Sequence, residues 1–332
     1  MMDSAEKAIY TIGAEVLSLP VFLTNLLVVV ASCVIINSSR QDLRIATLLL
    51  GNIAFADMAT PLSILFGLFY HRERRTPLLC AFQIGATVTC SLTSMCCIVL
   101  IAVDRYFFIV HSIRYDRYMT EQRARLLIHL SWLLGILFGF VPITVKAFYK
   151  TEQGPDCRFV TPENIDVMLI SGSLATPLIV ATFILYMAIY RKAKAVSSAP
   201  PNRFVSGADS SAGIQRSVGI QRLKTRSVII VFLSSSCFLL TWGPYLVTLM
   251  IYGAMCGKSV SSDRQDTCET LEFLMASPFP MLGFLNSLIN PIIFAWWHRP
   301  FTRALYEIFC PNKARKAAQA RPLDISTIAS TA

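Results

Sequence analysis

The sequence predicts an all-α membrane protein: a bundle of seven transmembrane helices followed by a short amphipathic eighth helix. Of its 332 residues, 54% are hydrophobic and only 15% are charged, whereas soluble domains carry about 25% charged residues. In addition, seven apolar stretches are each long enough to cross a bilayer as a helix, which takes about 20 residues. These stretches are 12–36, 43–70, 78–109, 124–148, 165–190, 228–252 and 271–296.

The distribution of charge predicts the orientation of the bundle. Short loops rich in Lys and Arg stay on the cytoplasmic side. With the N-terminus outside, the inner segments and the span ends that adjoin them hold 20 of the 30 basic residues. We therefore expect a multi-pass protein of the plasma membrane with an extracellular N-terminus (1–11), a seven-span domain (12–296) with a third inner loop at about 191–226, and a cytoplasmic tail (297–332). The net charge of +10 then belongs to the inner surface and does not indicate a nucleic-acid partner.

Four of the ten cysteines fall on the outer side, where disulfides form. Cys80 begins the third span, Cys157 lies in the loop between spans four and five, and Cys256 and Cys268 share one short loop. The sequence alone does not fix how these four are connected. The loop length favours a Cys80–Cys157 bond together with a Cys256–Cys268 bond.

The segment after the last span has an apolar stripe. Phe301, Leu305 and Phe309 recur at every fourth position, with charged residues between them. This spacing predicts a short helix that lies along the inner interface in contact with membrane lipids. Cys310, which follows the stripe, is a candidate for S-acylation.

Polar residues inside the spans are the first functional signal. Asp57 lies halfway through the second apolar stretch, and an intramembrane carboxylate is by default a functional-site hypothesis. A protonated structural acid is the alternative interpretation. The last span contains Asn286, Ser287 and Asn290 beside Pro291, which is more interruption than helix packing requires.

The third and sixth spans carry the remaining signals. The third span ends on Asp104-Arg105-Tyr106, and charge at a membrane boundary is costly unless it is paired or functional. In the sixth span, Trp242 lies just below Pro244. Because proline interrupts the hydrogen bonding of a helix, we expect Pro244 to bend this span.

Together these positions resemble the rhodopsin-type, or class A, G-protein-coupled receptors. The resemblance covers residues 25–310 and rests on landmark residues that occur on every span in the order of the family. These residues are Asn25; Asn52 and Asp57; Cys80 with Asp104-Arg105-Tyr106; Trp132; Pro177; Trp242 and Pro244; Asn290 and Pro291.

The resemblance implies a mechanism and a set of partners. An extracellular small molecule would rearrange the helices around Phe238 and Trp242, and the sixth span would swing outward at its inner end with Pro244 as the hinge. Arg105 would then become accessible to a heterotrimeric G protein. Arrestin and receptor kinases are further expected partners, and no enzymatic activity is expected.

The resemblance also implies a buried sodium site. Asp57, Ser94, Asn286, Ser287 and Asn290 match the sodium pocket of the family residue for residue, and Trp242 would form its lid. A carboxylate among neutral oxygens suits a small hard cation. We therefore expect sodium as an allosteric ion and no other cofactor, with water in the same space as the alternative.

Two departures from the family pattern bear on the switch. Phe294 replaces the tyrosine that usually ends the motif after Pro291, so no hydroxyl is available there. Lys224 occupies a position that in some members is an acid paired with the arginine. Because a cation at Lys224 cannot hold Arg105, we expect this inter-helix lock to be absent and ligand-independent activity to be appreciable.

Two positions exclude ligand classes. Thr87 stands where receptors for biogenic amines have aspartate, and Phe284 stands where opsins have the retinal lysine. Residues 101–120 and 131–143, with Phe159, resemble adenosine receptors. However, Leu249 and Phe284 replace the asparagine and the histidine with which those receptors bind adenosine, so adenine would lose its polar contacts.

The ligand pocket implied by the family positions is mostly apolar and aromatic, which favours a neutral small molecule or a lipid amide. Its residues are Thr87, Val88, Ser91, Phe159, Trp242, Tyr245, Leu246, Leu249, Phe279 and Phe284. A nucleoside-type receptor is the alternative within the family. A channel or transporter is the alternative from another class, but the sequence has neither charged pore rings nor paired discontinuous spans.

Overall fold

A computed structural model describes residues 4–38, 41–69, 76–149, 165–197, 232–233, 236–256, 264–276, 278–297 and 299–310. Within these ranges the regular elements are helices. They are α1 (Ser4–Ser38), α2 (Gln41–Phe69), α3 (Pro77–Val110), α4 (Tyr115–Tyr118), α5 (Glu121–Gly135), α6 (Val141–Tyr149), α7 (Ile165–Ser197), α8 (Ser236–Met255), α9 (Gln265–Ala276), α10 (Pro278–Trp297) and α11 (Arg299–Phe309). A 3-10 turn, Ser112–Arg114, precedes α4, and a π-helical segment, Ile136–Phe140, joins α5 to α6.

Six stretches of the described residues are long and apolar enough to cross a membrane. They are Glu15–Asn37, Leu43–Ser63, Pro77–Val110, Glu121–Phe148, Leu169–Lys192 and Ser236–Met255. The seventh span is α10, whose 20 residues include no charged side chain. At 1.5 Å per residue it is about 30 Å long, which matches the hydrocarbon core of a bilayer. The predicted fold class is confirmed.

Two helix boundaries bear on the predicted spans. α1 begins at Ser4, ahead of the apolar span Glu15–Asn37 that it contains, so residues 4–11 of the predicted N-terminal segment are helical. The last span was predicted over 271–296; in this range the structure describes α9 to Ala276 and α10 from Pro278, and residue 277 lies outside the described residues. Proline favours the first turn of a helix, because its missing N–H is not needed there.

The third helix is central to the bundle. It contacts α2, α5, the π-helical segment, α6 and α7. Against α5 the approach is close: a Cβ atom at Gly135 would lie 2.8 Å from the carbonyl oxygen of Thr89, and one at Gly139 would lie 2.9 Å from the Thr89 nitrogen. Small residues four apart allow two backbones to approach in this way. The Thr89 hydroxyl also donates a hydrogen bond of 3.1 Å to the Gly135 carbonyl.

The main apolar cluster joins four of the helices. It includes Met95 of α3, Ala175 of α7, Phe238 and Leu249 of α8, and Met275 of α9. Because lipid tails are as apolar as these side chains, van der Waals packing within the cluster is what holds α8 and α9 against α3 and α7.

The predicted eighth helix is α11. Phe301 and Ala304 are buried against residues of α1, α2 and α10, and Leu305 packs beside them. Phe309 is 62% exposed, and Cys310 is a free, partly exposed cysteine. The apolar stripe is therefore split: its first part docks on the bundle, and its end presents an aromatic ring to the surroundings.

Candidate functional site

Asp57 of α2 is buried and receives hydrogen bonds from two other helices. The Ser94 hydroxyl of α3 donates to Asp57 Oδ1 over 2.9 Å. The Asn290 amide of α10 donates to Asp57 Oδ2 over 3.1 Å. A buried carboxylate needs such donors, because an unpaired buried charge is very unfavourable. The structure thus brings together polar residues that are separated by up to 233 positions in the chain.

Several amide oxygens near this carboxylate have no partner among the described residues. Asn25 donates to the carbonyls of Val21 (2.8 Å) and Ser287 (2.9 Å), which links α1 to α10. The side-chain oxygens of Asn25, Asn286 and Asn290 are buried, and in the described part of the chain nothing donates to them. A buried polar group left unpaired costs about 1–3 kcal/mol. These oxygens are therefore suited to accept a water molecule or to bind a cation.

A cavity of about 70 Å³ adjoins Asp57. Such a volume has room for several water molecules. Its lining includes residues from both predicted sites. From the predicted ligand site come Thr87, Ser91 and Trp242. From the predicted sodium site come Asp57, Ser94, Asn286 and Ser287. Val21, Thr60, Pro61, Phe238 and Gly283 complete the lining.

Trp242 forms one wall of this cavity. A Cβ atom at Gly283 would lie 2.8 Å from the indole ring, so the absence of a side chain there allows Trp242 to pack directly on α10. The Tyr245 ring meets Trp242 edge to face, with 5.9 Å between ring centroids. A change in the position of Trp242 would therefore be transmitted both to Tyr245 and to α10.

The other predicted ligand residues that the structure describes lie in apolar packing. Tyr245, Leu246 and Leu249 are buried in the main apolar cluster, and Leu249 is only 1% exposed. Val88 is partly buried and packs against the same cluster. Phe159 and the side chains of Phe279 and Phe284 lie outside the described residues.

A second buried carboxylate lies at the opposite end of α3. Asp104 is completely buried. Its Oδ2 atom accepts a hydrogen bond of 2.7 Å from Arg105 Nε and a second hydrogen bond from Nη2 of the same residue. The Tyr115 hydroxyl of α4 donates to Asp104 Oδ1 over 2.7 Å. The Arg105 guanidinium also lies over the Phe108 ring, 5.0 Å from its centroid.

Comparison with known proteins decides the family. The model of the family described as 7 transmembrane receptor (rhodopsin family) matches residues 24–294. The chain belongs to the rhodopsin family of seven-transmembrane receptors. It is therefore a G-protein-coupled receptor and a multi-pass membrane protein, not an enzyme, and the predicted class is confirmed.

The relatives of the receptor are distant. It is 23% identical over 288 residues to 5-hydroxytryptamine receptor 5A of Rattus norvegicus, and the aligned region covers 80% of this chain and 77% of the relative. It is 26% identical over 236 residues to the human glucose-dependent insulinotropic receptor, covering 69% and 65%. It is 27% identical over 286 residues to somatostatin receptor type 1 of Rattus norvegicus, covering 82% and 65%.

The turn between α3 and α4 exposes an apolar residue. Ile113 is 99% exposed. It lies eight residues after Arg105 in the chain. Single exposed apolar side chains are common on protein surfaces, so Ile113 by itself does not define a contact surface.

The remaining switch residues are placed as follows. Tyr106 has ring contacts with Phe107 and His111 at centroid distances of 5.7 and 5.5 Å. Pro291 is buried within α10, and Pro244 lies within α8. The side chain of Phe294 and the whole of Lys224 lie outside the described residues, so both remain predictions.

The structure contains a polar link that the sequence analysis did not identify. Trp132 Nε1 of α5 donates to Asn52 Oδ1 of α2 over 3.0 Å, and Asn52 Nδ2 donates to Cys97 Sγ of α3, also over 3.0 Å. The two landmark residues Asn52 and Trp132 therefore form one link across three helices. Their positions in the middle of apolar spans were the available signal.

The predicted disulfides are partly described. Cys256 and Cys268 are bonded, which confirms this prediction and ties α9 to the end of α8. Cys80 is also in a disulfide. Its predicted partner, Cys157, lies outside the described residues.

Proposed function

We propose that the receptor binds a neutral or lipid-like small molecule from the extracellular side and thereby controls its G protein. The observation that supports this proposal is the shared cavity. Thr87, Ser91 and Trp242, which are predicted to touch the ligand, line the same space as Asp57. A ligand that moves Trp242 would therefore change the surroundings of a buried carboxylate, and it can shift the receptor only by its differential affinity for the two states.

The chemistry of the pocket residues supports a neutral ligand. Thr87 offers a hydroxyl that already donates to the Gln83 carbonyl over 2.9 Å, and it carries no charge for an ammonium group. Tyr245, Leu246 and Leu249 add mainly apolar surface. The names of the relatives, which refer to 5-hydroxytryptamine, to somatostatin and to a glucose-dependent insulinotropic action, do not agree on one ligand.

A nucleoside is the less supported ligand. Leu249, at the position where adenosine receptors have an asparagine, is buried among apolar residues and presents no polar atom to a purine edge. A buried base without hydrogen-bonding partners would lose about 1–3 kcal/mol for each unpaired group.

Sodium in the Asp57 cavity is part of the proposal. The Asp57 carboxylate, the hydroxyls of Ser94 and Ser287, and the side-chain oxygens of Asn286 and Asn290 would hold the ion. All five offer the oxygen ligands that hard cations prefer, and two of the amide oxygens have no partner among the described residues. The ion would balance the charge of Asp57 and stabilise the helix arrangement that forms the cavity.

The inner side of the receptor is the proposed docking face. With an extracellular N-terminus in the plasma membrane, Arg105 and the exposed Ile113 face the cytoplasm, where the G protein acts. Arrestin would use the same face after receptor kinases had phosphorylated hydroxyls of the tail, whose last residues are rich in Ser and Thr. The amphipathic α11, with an acyl group on Cys310, would contact the lipids of the inner leaflet.

A ligand screen tests the proposal. The purified receptor in lipid nanodiscs is combined with a panel of G proteins, and nucleotide exchange is measured with libraries of neutral lipid amides, nucleosides and biogenic amines. We expect lipid-like neutral compounds to raise exchange, and the Thr87→Asp variant to lose sensitivity to them because it places a carboxylate in the pocket. Activation of the unmodified receptor by amines or nucleosides alone would contradict the proposed ligand class.

A further inference from the structure

Four side chains at the inner end of α3 form a closed ring of contacts. Arg105 bonds to Asp104, and Asp104 accepts from Tyr115 over 2.7 Å. The Tyr115 ring meets the Phe108 ring edge to face at 5.4 Å and an interplanar angle of 83°. The Phe108 ring in turn lies 5.0 Å from the Arg105 guanidinium, which closes the ring.

The position of Phe108 follows from helix geometry. Residues three apart lie on the same face of a helix, so Phe108 is the neighbour that the Arg105 side chain meets. Asp104 is adjacent in sequence and does not share that face, and Arg105 must bend back to reach it. A guanidinium stacks well on an aromatic face, where the electrons of the ring attract the positive charge. Phe108 therefore stabilises the bent conformation of Arg105.

Tyr115 makes the ring of contacts sensitive to the second inner loop. It contacts both Asp104 and Phe108, and it is the first residue of α4. The last residue of α4, Tyr118, stacks on Phe107 at 5.1 Å with an interplanar angle of 22°. Two aromatic pairs thus fix α4 against α3, and a movement of α4 would separate Tyr115 from both of its partners.

We propose that Phe108 is a positioning residue of the switch. It holds the guanidinium of Arg105 close to α3 through its ring, and Tyr115 clamps Phe108 and Asp104 together. When a partner that contacts the loop at Ile113 moves α4, the clamp opens and Arg105 is released towards the G protein. This restraint lies within α3 and α4. The proposal depends on coupling to a G protein, which family membership establishes, and not on the identity of the ligand.

The experiment measures ligand-independent nucleotide exchange on a panel of purified G proteins by the full-length receptor in nanodiscs. In Phe108→Leu the ring is lost while an apolar side chain remains, and we expect exchange to rise about two- to tenfold. Phe108→Tyr keeps the ring and should behave like the unmodified receptor. Phe82→Leu is the matched control, because it also removes an aromatic pair of α3, that with Phe140 at 5.9 Å, but lies at the other end of the helix from Arg105.

The pattern of the variants decides the outcome. Phe108→Met, which preserves the side-chain volume, should reproduce the rise if Phe108→Leu folds poorly. Equal amounts of folded receptor, determined by thermal unfolding, are compared throughout. The proposal is overturned if neither Phe108→Leu nor Phe108→Met raises exchange, if Phe108→Tyr raises it as much as they do, or if Phe82→Leu gives the same increase.

Discussion

The two buried carboxylates of the receptor are satisfied in different ways. Asp57 accepts hydrogen bonds from the neutral side chains of Ser94 and Asn290. It also borders a cavity, and the side-chain oxygens of Asn286 and Asn290 have no partner among the described residues. Asp104 is paired with the cation of Arg105 and with the hydroxyl of Tyr115. The first site has room for a compensating ion, whereas the second carries its compensating charge in the chain.

This difference indicates which stimulus can act on each site. A buried charge is stable only when it is paired, so the occupancy of the Asp57 cavity would depend on the ions and ligands around the receptor. The Asp104 cluster would change only when helices or loops move, because its partners are covalently part of α3 and α4. The Asp57 site is therefore suited to sense a bound species, and the Asp104 site is suited to report the helix arrangement.

The largest effect on nucleotide exchange is expected at the carboxylate of Asp104. Asp104→Asn replaces a charged acceptor with a neutral one, and hydrogen bonds to charged groups contribute about 1.5–3 kcal/mol against about 1 for neutral ones. We expect ligand-independent nucleotide exchange to rise about tenfold, equivalent to about 1.4 kcal/mol. Asp116→Asn is the control, because Asp116 lies on α4 and is exposed. An equal rise in both variants would show that the pairing of Asp104 is not the cause.

The outer carboxylate is tested by its dependence on sodium. Thermal unfolding of the purified receptor is followed in sodium chloride and in N-methylglucamine chloride at equal ionic strength. We expect saturating sodium to stabilise the receptor by about 1–3 kcal/mol, and Asp57→Asn to remove this gain. Asp104→Asn should retain it, since its carboxylate does not border the cavity. If Asp57→Asn keeps the full gain, the proposed sodium site is wrong.

The next prediction concerns the close packing of α3 against α5, since α3 contributes Ser94 to the Asp57 site and also carries Asp104. In Gly135→Ala the new Cβ atom would meet the Thr89 backbone at 2.8 Å, and backbone atoms cannot move aside without shifting the helix. We expect a loss of about 1–3 kcal/mol in the free energy of unfolding. Gly243→Ala is the control, because its Cβ atom would have no neighbour within 4 Å among the described residues. It should be neutral or stabilise the receptor by up to about 1 kcal/mol.

The smallest expected effect concerns the hydrogen bond between Trp132 of α5 and Asn52 of α2. Trp132→Phe removes the hydrogen bond to Asn52 and retains an aromatic ring beside Phe55, which Trp132 meets edge to face. Hydrogen bonds between membrane helices contribute about 0.6 kcal/mol on average. We expect a decrease of this size in the free energy of unfolding, with no change in the response to sodium. A decrease above about 2 kcal/mol would indicate that packing of the indole dominates.

Much of the bundle could be predicted from the sequence because the bilayer imposes strong constraints. Polar backbone groups must be satisfied within each span, so long apolar stretches become helices. The convergence of Asp57 with Asn290 was predictable because polar side chains inside a membrane face the interior of the bundle, whereas Ser94 was placed beside them only by the resemblance to the family.

The rest depends on geometry that spacing does not reveal. Tyr115 lies in a loop, where no periodicity indicates which group its hydroxyl will reach. Phe108 is visible in the sequence three residues after Arg105, but a ring over the guanidinium requires a particular side-chain conformation. The burial of Leu249 in the apolar cluster also depends on how closely α8 approaches Gly172 of α7.

The central claim is that the outer cavity and the inner arginine belong to one switch. It is tested most directly by the effect of sodium on ligand-independent nucleotide exchange by the receptor and by Asp57→Asn in nanodiscs. Sodium would stabilise the arrangement in which Arg105 is held by Asp104, so we expect it to lower exchange by the receptor and to leave exchange by Asp57→Asn unchanged. Exchange that does not respond to sodium in the receptor, or that falls equally in both proteins, would contradict this account.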